Sequence, residues 1–182
     1  RFVSMYPPEW RLDLEAVAAA IGPRTRALVV NTPANPSGKV FSREELRGLV
    51  DLAVDHDLLI LSDEIYEYFV YDGQRHFSPM AFPEARDRTV VISGYSKTFS
   101  ITGWRVGYAV CERRLARMIG YVNDLVYVCA PAPLQVGVAK GIALLPGEFY
   151  RRLCLQYEKK RDMMVSGLRE GGLRPHVPQG AY

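Results

Sequence analysis

Residues 27–66 read ALVVNTPANPSGKVFSREELRGLVDLAVDHDLLILSDEIY, and the punctuation of this stretch decides the fold. Ala27 to Val30 is a short, uninterrupted apolar run, the pattern of a strand buried on both faces. Ser42 stands three residues before Glu45, a capping box opening a helix with Leu46, Leu49, Val50 and Ala53 along one side. Leu58 to Leu61 is a second buried run. Short apolar strands separated by helices predict a mostly parallel sheet covered on both faces.

The flanking sequence extends the pattern. Asp13 caps an Ala-rich helix running to Ile21, closed by Gly22–Pro23. Thr89 to Ile92 is a third strand, and Val106 to Val110 a candidate fourth. From Glu112 onward the chain reads as two or three long helices, broken around Cys129–Pro133 and at Pro146–Gly147. Leu173 to Tyr182 reads as the opening of a further strand. The fold class expected is therefore α/β, a mostly parallel sheet flanked by helices.

Composition narrows the function. The 182 residues are 48% apolar and 24% charged, which excludes a disordered chain. The net charge of +3 is spread over short clusters (Arg113–Arg114, Arg151–Arg152, Lys159–Lys160–Arg161) beside acidic neighbours. Such clusters read as solvated helix faces, so no nucleic-acid partner is expected. No apolar run approaches the roughly 18 residues of a membrane span, and Arg1–Phe2 opens no signal peptide. Cys111, Cys129 and Cys154 are widely spaced, as are His56, His76 and His176. Neither a disulfide framework nor a metal site is expected, and a cytoplasmic location fits best.

In open parallel sheets, ligands bind beyond the carboxyl ends of the strands. Three polar segments follow the three strands. In the first, Asn35 is held between prolines and before Gly38, offering one amide at a fixed place, although Asn-Pro and Ser-Gly are also ordinary turn dipeptides. In the second, Asp63 stands at a strand end where a carboxylate needs a partner, and Tyr66 follows one helical turn later. Asp63 alternatively caps a following helix. Glu64 and Glu67 are read as facing solvent. In the third, Lys97 ends a strand and Arg105 comes eight residues on. A poorly solvated lysine suits Schiff-base chemistry and an arginine suits a phosphate, whereas the alternative is a pair of surface cations. Together, a carboxylate, a phenol, an amide, an amine and a guanidinium meet the needs of pyridoxal phosphate.

With these residues assembled, the sequence resembles the class I/II, fold-type I, pyridoxal-phosphate-dependent aminotransferases of the aspartate aminotransferase superfamily. Asn35-Pro-Ser-Gly38 matches the family's N-P-[TS]-G, Asp63-Glu-Ile-Tyr66 its D-x-x-Y, and Ser96-Lys97 through Arg105 its S-K-x(7)-R. The resemblance implies that Lys97 carries the cofactor as a Schiff base and shuttles a proton. It implies that Asp63 pairs with the pyridinium nitrogen, Tyr66 and Asn35 bond the phenolate oxygen, and Arg105 clamps the phosphate. The implied activity is transamination between an L-amino acid and a 2-oxo acid, in a homodimer approached near Tyr127–Gln135. That last segment is equally compatible with a proline-broken link between helices. C–S lyases, cyclopropane-carboxylate synthases and non-catalytic regulatory domains share the same motifs. Where many relatives carry a serine three residues before the lysine, this chain has Gly94. Residues 1–150 correspond to part of the large cofactor-binding domain, and 151–182 to a connecting helix and the first strand of a small C-terminal domain. Family members have further residues on both sides, so the chain reads as an internal portion that would be a poor enzyme alone.

Overall fold

The computed structural model describes residues 1–181. Helix α1 (Leu14–Ala20) starts where Asp13 accepts a hydrogen bond from the Ala16 N–H at 3.0 Å. Helix α2 (Arg43–Asp55) starts at the expected capping box, with both reciprocal bonds between Ser42 and Glu45 made. Strands β1 (Ala27–Asn31), β2 (Leu59–Asp63) and β3 (Thr89–Gly94) pair in parallel, and β4 (Gly107–Val110) returns antiparallel beside β3. Helices α3 (Arg113–Val126), α4 (Ala132–Leu144) and α5 (Gly147–Glu170) follow, interrupted at the two proline sites read from the sequence. Helix α5 runs unbroken across residues 150 and 151. No helix among the described residues is long and apolar enough to cross a membrane.

The main core lies on one side of the sheet. Leu46, Leu49, Val50 and Ala53 of α2 pack against Val30 and Ile60, joined by Val17, Phe82 and Ala85. Each fully buried Val, Leu or Ile there contributes about 1.5–3 kcal/mol from removal of apolar surface. Within residues 1–181, Val29 is 76% exposed and Ile92, on the same face, 44%, so these residues by themselves cover one face of β1. Successive strand side chains alternate, and α1 and α2 cover the face bearing Leu28, Val30 and Ile60.

The strand expected from Leu173 does not form among residues 173–181. Gly180 instead makes an isolated antiparallel bridge with Val70. Backbone bonds from Tyr71 N–H to Gln179 O and from Ala181 N–H to Phe69 O tie this segment to residues 69–71, each at 2.9 Å. Tyr182 lies outside the described residues.

Candidate active site

Because β1, β2 and β3 are parallel, the three polar segments leave the sheet at one end. Asn31 joins the first two: its Nδ2 donates to the Asp63 carbonyl at 3.2 Å, and its Oδ1 accepts the Asn35 N–H at 2.9 Å. The Thr32 N–H also donates to the Asp63 carbonyl, at 3.0 Å. Asn35 and Asp63 are thus set on one stitched framework. The loop closes at Gly38, whose φ of +70° is a left-handed value. Its carbonyl accepts the N–H groups of Gln179 and Gly180, both at 2.9 Å, so residues 178–181 brace the loop from behind. Lys39 is buried, with Nζ 2.7 Å from Glu45 Oε1.

Asp63 is half-buried and its Oδ1 accepts the Ile65 N–H at 3.2 Å, within a run of turns rather than at the start of a helix. Tyr66 is buried, edge-on to Phe69 with ring centres 6.0 Å apart. Lys97 Nζ lies 5.7 Å from the centre of the Tyr66 ring. The two residues line a cavity of about 430 Å³ together with Phe69, Ser96, Ser100, Thr102 and Tyr157. Arg105 also adopts a left-handed backbone, at φ +55°, and donates to the Thr102 carbonyl at 2.8 Å, on the flank of that cavity. The structure therefore brings Tyr66 and Lys97 into one cavity and links Asn35 to Asp63 through Asn31. Asn35, Asp63 and Arg105 are not among the residues lining that cavity, and Arg105 is exposed. A larger cavity of about 820 Å³, between the first residues, α1 and β1, has no carboxylate, lysine or histidine in its wall.

Two sequence readings are corrected here. Glu64 does not face solvent: it is 3% exposed, and Glu67 is half-buried. Burial pushes the Glu67 carboxyl above its ordinary range, opposed by hydrogen bonds from Tyr108 and Ser93. Burial likewise raises the Tyr108 phenol, and it pushes Tyr68 up to about 12. Arg161 is not part of a solvated face either. Its guanidinium makes two bonds to Asp72 at 2.6 and 2.8 Å, one to the Pro178 carbonyl at 3.1 Å, and lies over the Tyr71 ring. It locks α5 onto the segment behind the site.

The sequence profile of aminotransferase class I and II matches residues 1–182. The chain belongs to the class I and II aminotransferases. It is 38% identical over 181 residues to kynurenine–oxoglutarate transaminase 3 of Bos taurus, covering 96% of this chain and 40% of that protein. It is 36% identical over 178 residues to aromatic-amino-acid aminotransferase 2 of Thermococcus litoralis, covering 96% of this chain and 45% of that one. Among solved structures, Escherichia coli YbdL, described with a methionine aminotransferase function, superposes with a TM-score of 0.94 at 33% identity. That alignment covers 99% of this chain and 47% of YbdL. The N-succinyldiaminopimelate aminotransferase of Mycobacterium tuberculosis gives 0.91 at 34% identity over 94% of this chain and 44% of its own. The chain thus spans less than half the length of these relatives, and its sheet is that of the fold-type I aminotransferases.

Aminotransferases of this class generally depend on pyridoxal phosphate. The donor set around Lys97 fits that group. Lys97 brings an amine of the kind its aldehyde needs, the Tyr66 phenol lines the same cavity, and the hydroxyls of Ser96, Ser100 and Thr102, with the Arg105 guanidinium bonded to the Thr102 carbonyl, suit a phosphate. The cavity volume is in the range of small-molecule sites. Gly94 also has a structural reason. A Cβ there would lie 3.0 Å from both the Gly107 Cα and the Val106 carbonyl oxygen, so the close approach of β3 to β4 disfavours a serine.

Proposed function

We propose that the protein containing these residues transfers an amino group between an L-amino acid and a 2-oxo acid with pyridoxal phosphate. The observation that carries this reading is the placement of Lys97 Nζ against the Tyr66 ring, in a cavity at the carboxyl ends of the parallel strands. When bound, the cofactor supplies an aldehyde for an amine and a ring that accepts electrons from the substrate Cα. Lys97 Nζ would hold the cofactor through its amine and would be the base that moves a proton from and to the substrate Cα. Asp63 holds a proton at the ring nitrogen through its carboxylate. The Tyr66 hydroxyl and the Asn35 amide orient the phenolate oxygen, and Arg105 with Ser96 binds the phosphate.

Lys39 is a poor rival anchor, because it is buried beside Glu45 and does not line the cavity that Lys97 lines. Borohydride reduction of the cofactor-loaded full-length protein, followed by peptide mapping, tests the assignment. The pyridoxyl group is expected on Lys97 alone. Labelling of Lys39 or Lys140 in its place overturns it.

A further inference from the structure

The side chain next to Asp63 is the most heavily bonded carboxylate in this part of the fold. Glu64 Oε1 accepts the hydroxyls of Ser62 and Ser78, both at 2.7 Å, and its Oε2 lies 2.8 Å from His76 Nε2. Facing a carboxylate, Nε2 is the protonated nitrogen. His76 Nδ1 is buried and meets no hydrogen-bond partner among the described residues, so the Glu64 contact alone fixes the imidazole. A buried carboxylate is tolerated only when its oxygens are satisfied, and here three side-chain donors satisfy them.

The main chain of Glu64 is equally committed. Its N–H donates to the Ile92 carbonyl at 2.8 Å, and its own carbonyl accepts the Glu67 N–H at 2.9 Å. Ser93 Oγ lies 3.4 Å from the same carbonyl. The peptide following Glu64 supplies the Ile65 N–H that holds Asp63 Oδ1. One residue therefore joins three things: the turn that aims the Asp63 carboxylate, Ile92 and Ser93 of β3, five and four residues before Lys97, and the segment around residues 76–78.

We propose that Glu64, held by His76 and Ser78, is a positioning residue that fixes the Asp63 carboxylate relative to the Lys97 segment. The proposal rests on the reading of Asp63 as the partner of the cofactor's ring nitrogen. Glu64 touches neither cofactor nor substrate; it acts through the peptide between itself and Ile65. Loosening that peptide lets Asp63 leave the ring nitrogen without removing any group that binds substrate. The effect then belongs in kcat and in the spectrum of the bound cofactor, not in KM.

His76→Leu and His76→Gln in the cofactor-loaded full-length protein separate positioning from packing. Leucine removes the donor to Glu64, whereas glutamine can present its own N–H near the Nε2 position. His76→Leu is expected to lower kcat about tenfold, the usual scale for a supporting hydrogen bond behind a functional group, with the amino-acid KM within about twofold. Its visible absorption band should move in the direction produced by Asp63→Asn, and His76→Gln should restore both readouts. Ser78→Ala, which deletes one donor and leaves the imidazole in place, carries the same expectation at smaller amplitude and serves if His76→Leu does not fold. Unchanged kcat and spectrum in His76→Leu and Ser78→Ala, with Asp63→Asn altered, overturn the positioning role. An unaltered spectrum in Asp63→Asn itself overturns the reading of the site, and the inference with it.

Discussion

Replacing Gly38 by alanine tests whether the loop carrying Asn35 is braced by residues 178–181 as closely as the structure has it. A Cβ at Gly38 would lie 2.2 Å from Pro178 Cβ, 2.8 Å from Pro178 Cα and 3.2 Å from the Gly180 carbonyl oxygen. The proline ring and backbone cannot swing aside as a flexible side chain would. Two costs add. A left-handed alanine costs about 1–2 kcal/mol, and overpacking against fixed atoms costs about 1–3 kcal/mol. The expected loss is about 2–5 kcal/mol, larger if the bonds from Gln179 and Gly180 to the Gly38 carbonyl also break. Gly73 supplies the control: its φ is +69°, nearly that of Gly38, and a Cβ there would meet nothing within 4 Å. Gly73→Ala should therefore show the backbone term alone, about 1–2 kcal/mol. Urea denaturation followed by tryptophan fluorescence measures both variants. Because the strained segment carries Asn35, Gly38→Ala should also weaken pyridoxal phosphate binding while Gly73→Ala leaves it unchanged. If the two variants agree within about 0.5 kcal/mol, the clash with Pro178 is not there and the brace is misread.

Three further outcomes follow from the same geometry. Asp63→Asn keeps an oxygen for the Ile65 N–H, so the melting midpoint should hold while turnover falls at least about 10- to 100-fold, the worth of one charge-assisted bond; activity within about twofold of the parent would make Asp63 a turn residue only. The Glu67 carboxyl is raised by burial, so its contribution to stability is full below the unfolded value of about 4.3 and is lost as pH rises through the folded one. Glu67→Gln should thus be more stable than the parent at neutral pH and equal to it in acid, and a variant no more stable at neutral pH refutes the burial argument. Asp72 is the opposite case, since the Arg161 hydrogen bonds hold it below its ordinary value and its contribution is lost as pH falls through that lowered value. Asp72→Asn should lose about 1 kcal/mol or less at neutral pH, because Asp72 is half-exposed, and the difference should close in acid; a gap that persists in acid means the charge is not responsible.

What could be read from sequence was local. The Ser42–Glu45 box, the apolar face of α2 and the proline breaks between α3, α4 and α5 are each specified by residues a few positions apart, and each forms where expected. The three strand-end motifs were also visible, because a polar residue directly after an apolar strand stands out without any knowledge of distant contacts. What failed depended on contacts across many residues. Arg161 looks like a surface cation until Asp72, 89 positions away, is folded against it.

Glu64 is the instructive failure, because a signal for it was present. Strand side chains alternate, so Ile60, Ser62 and Glu64 point to one face and Leu61 and Asp63 to the other. Ile60 and Ser62 are wholly buried against the core, and extending the alternation by one residue places Glu64 on the same inward side. A carboxylate there demands donors, and the chain supplies a histidine and a serine together in His76-Phe-Ser78, just beyond the Tyr71-Asp-Gly73 turn. The adjacent acids of Asp63-Glu64 therefore have opposite assignments for one reason. The pleat sends the first toward the face that carries Val29 and Ile92 and the second into the core, where it becomes part of the support for the first.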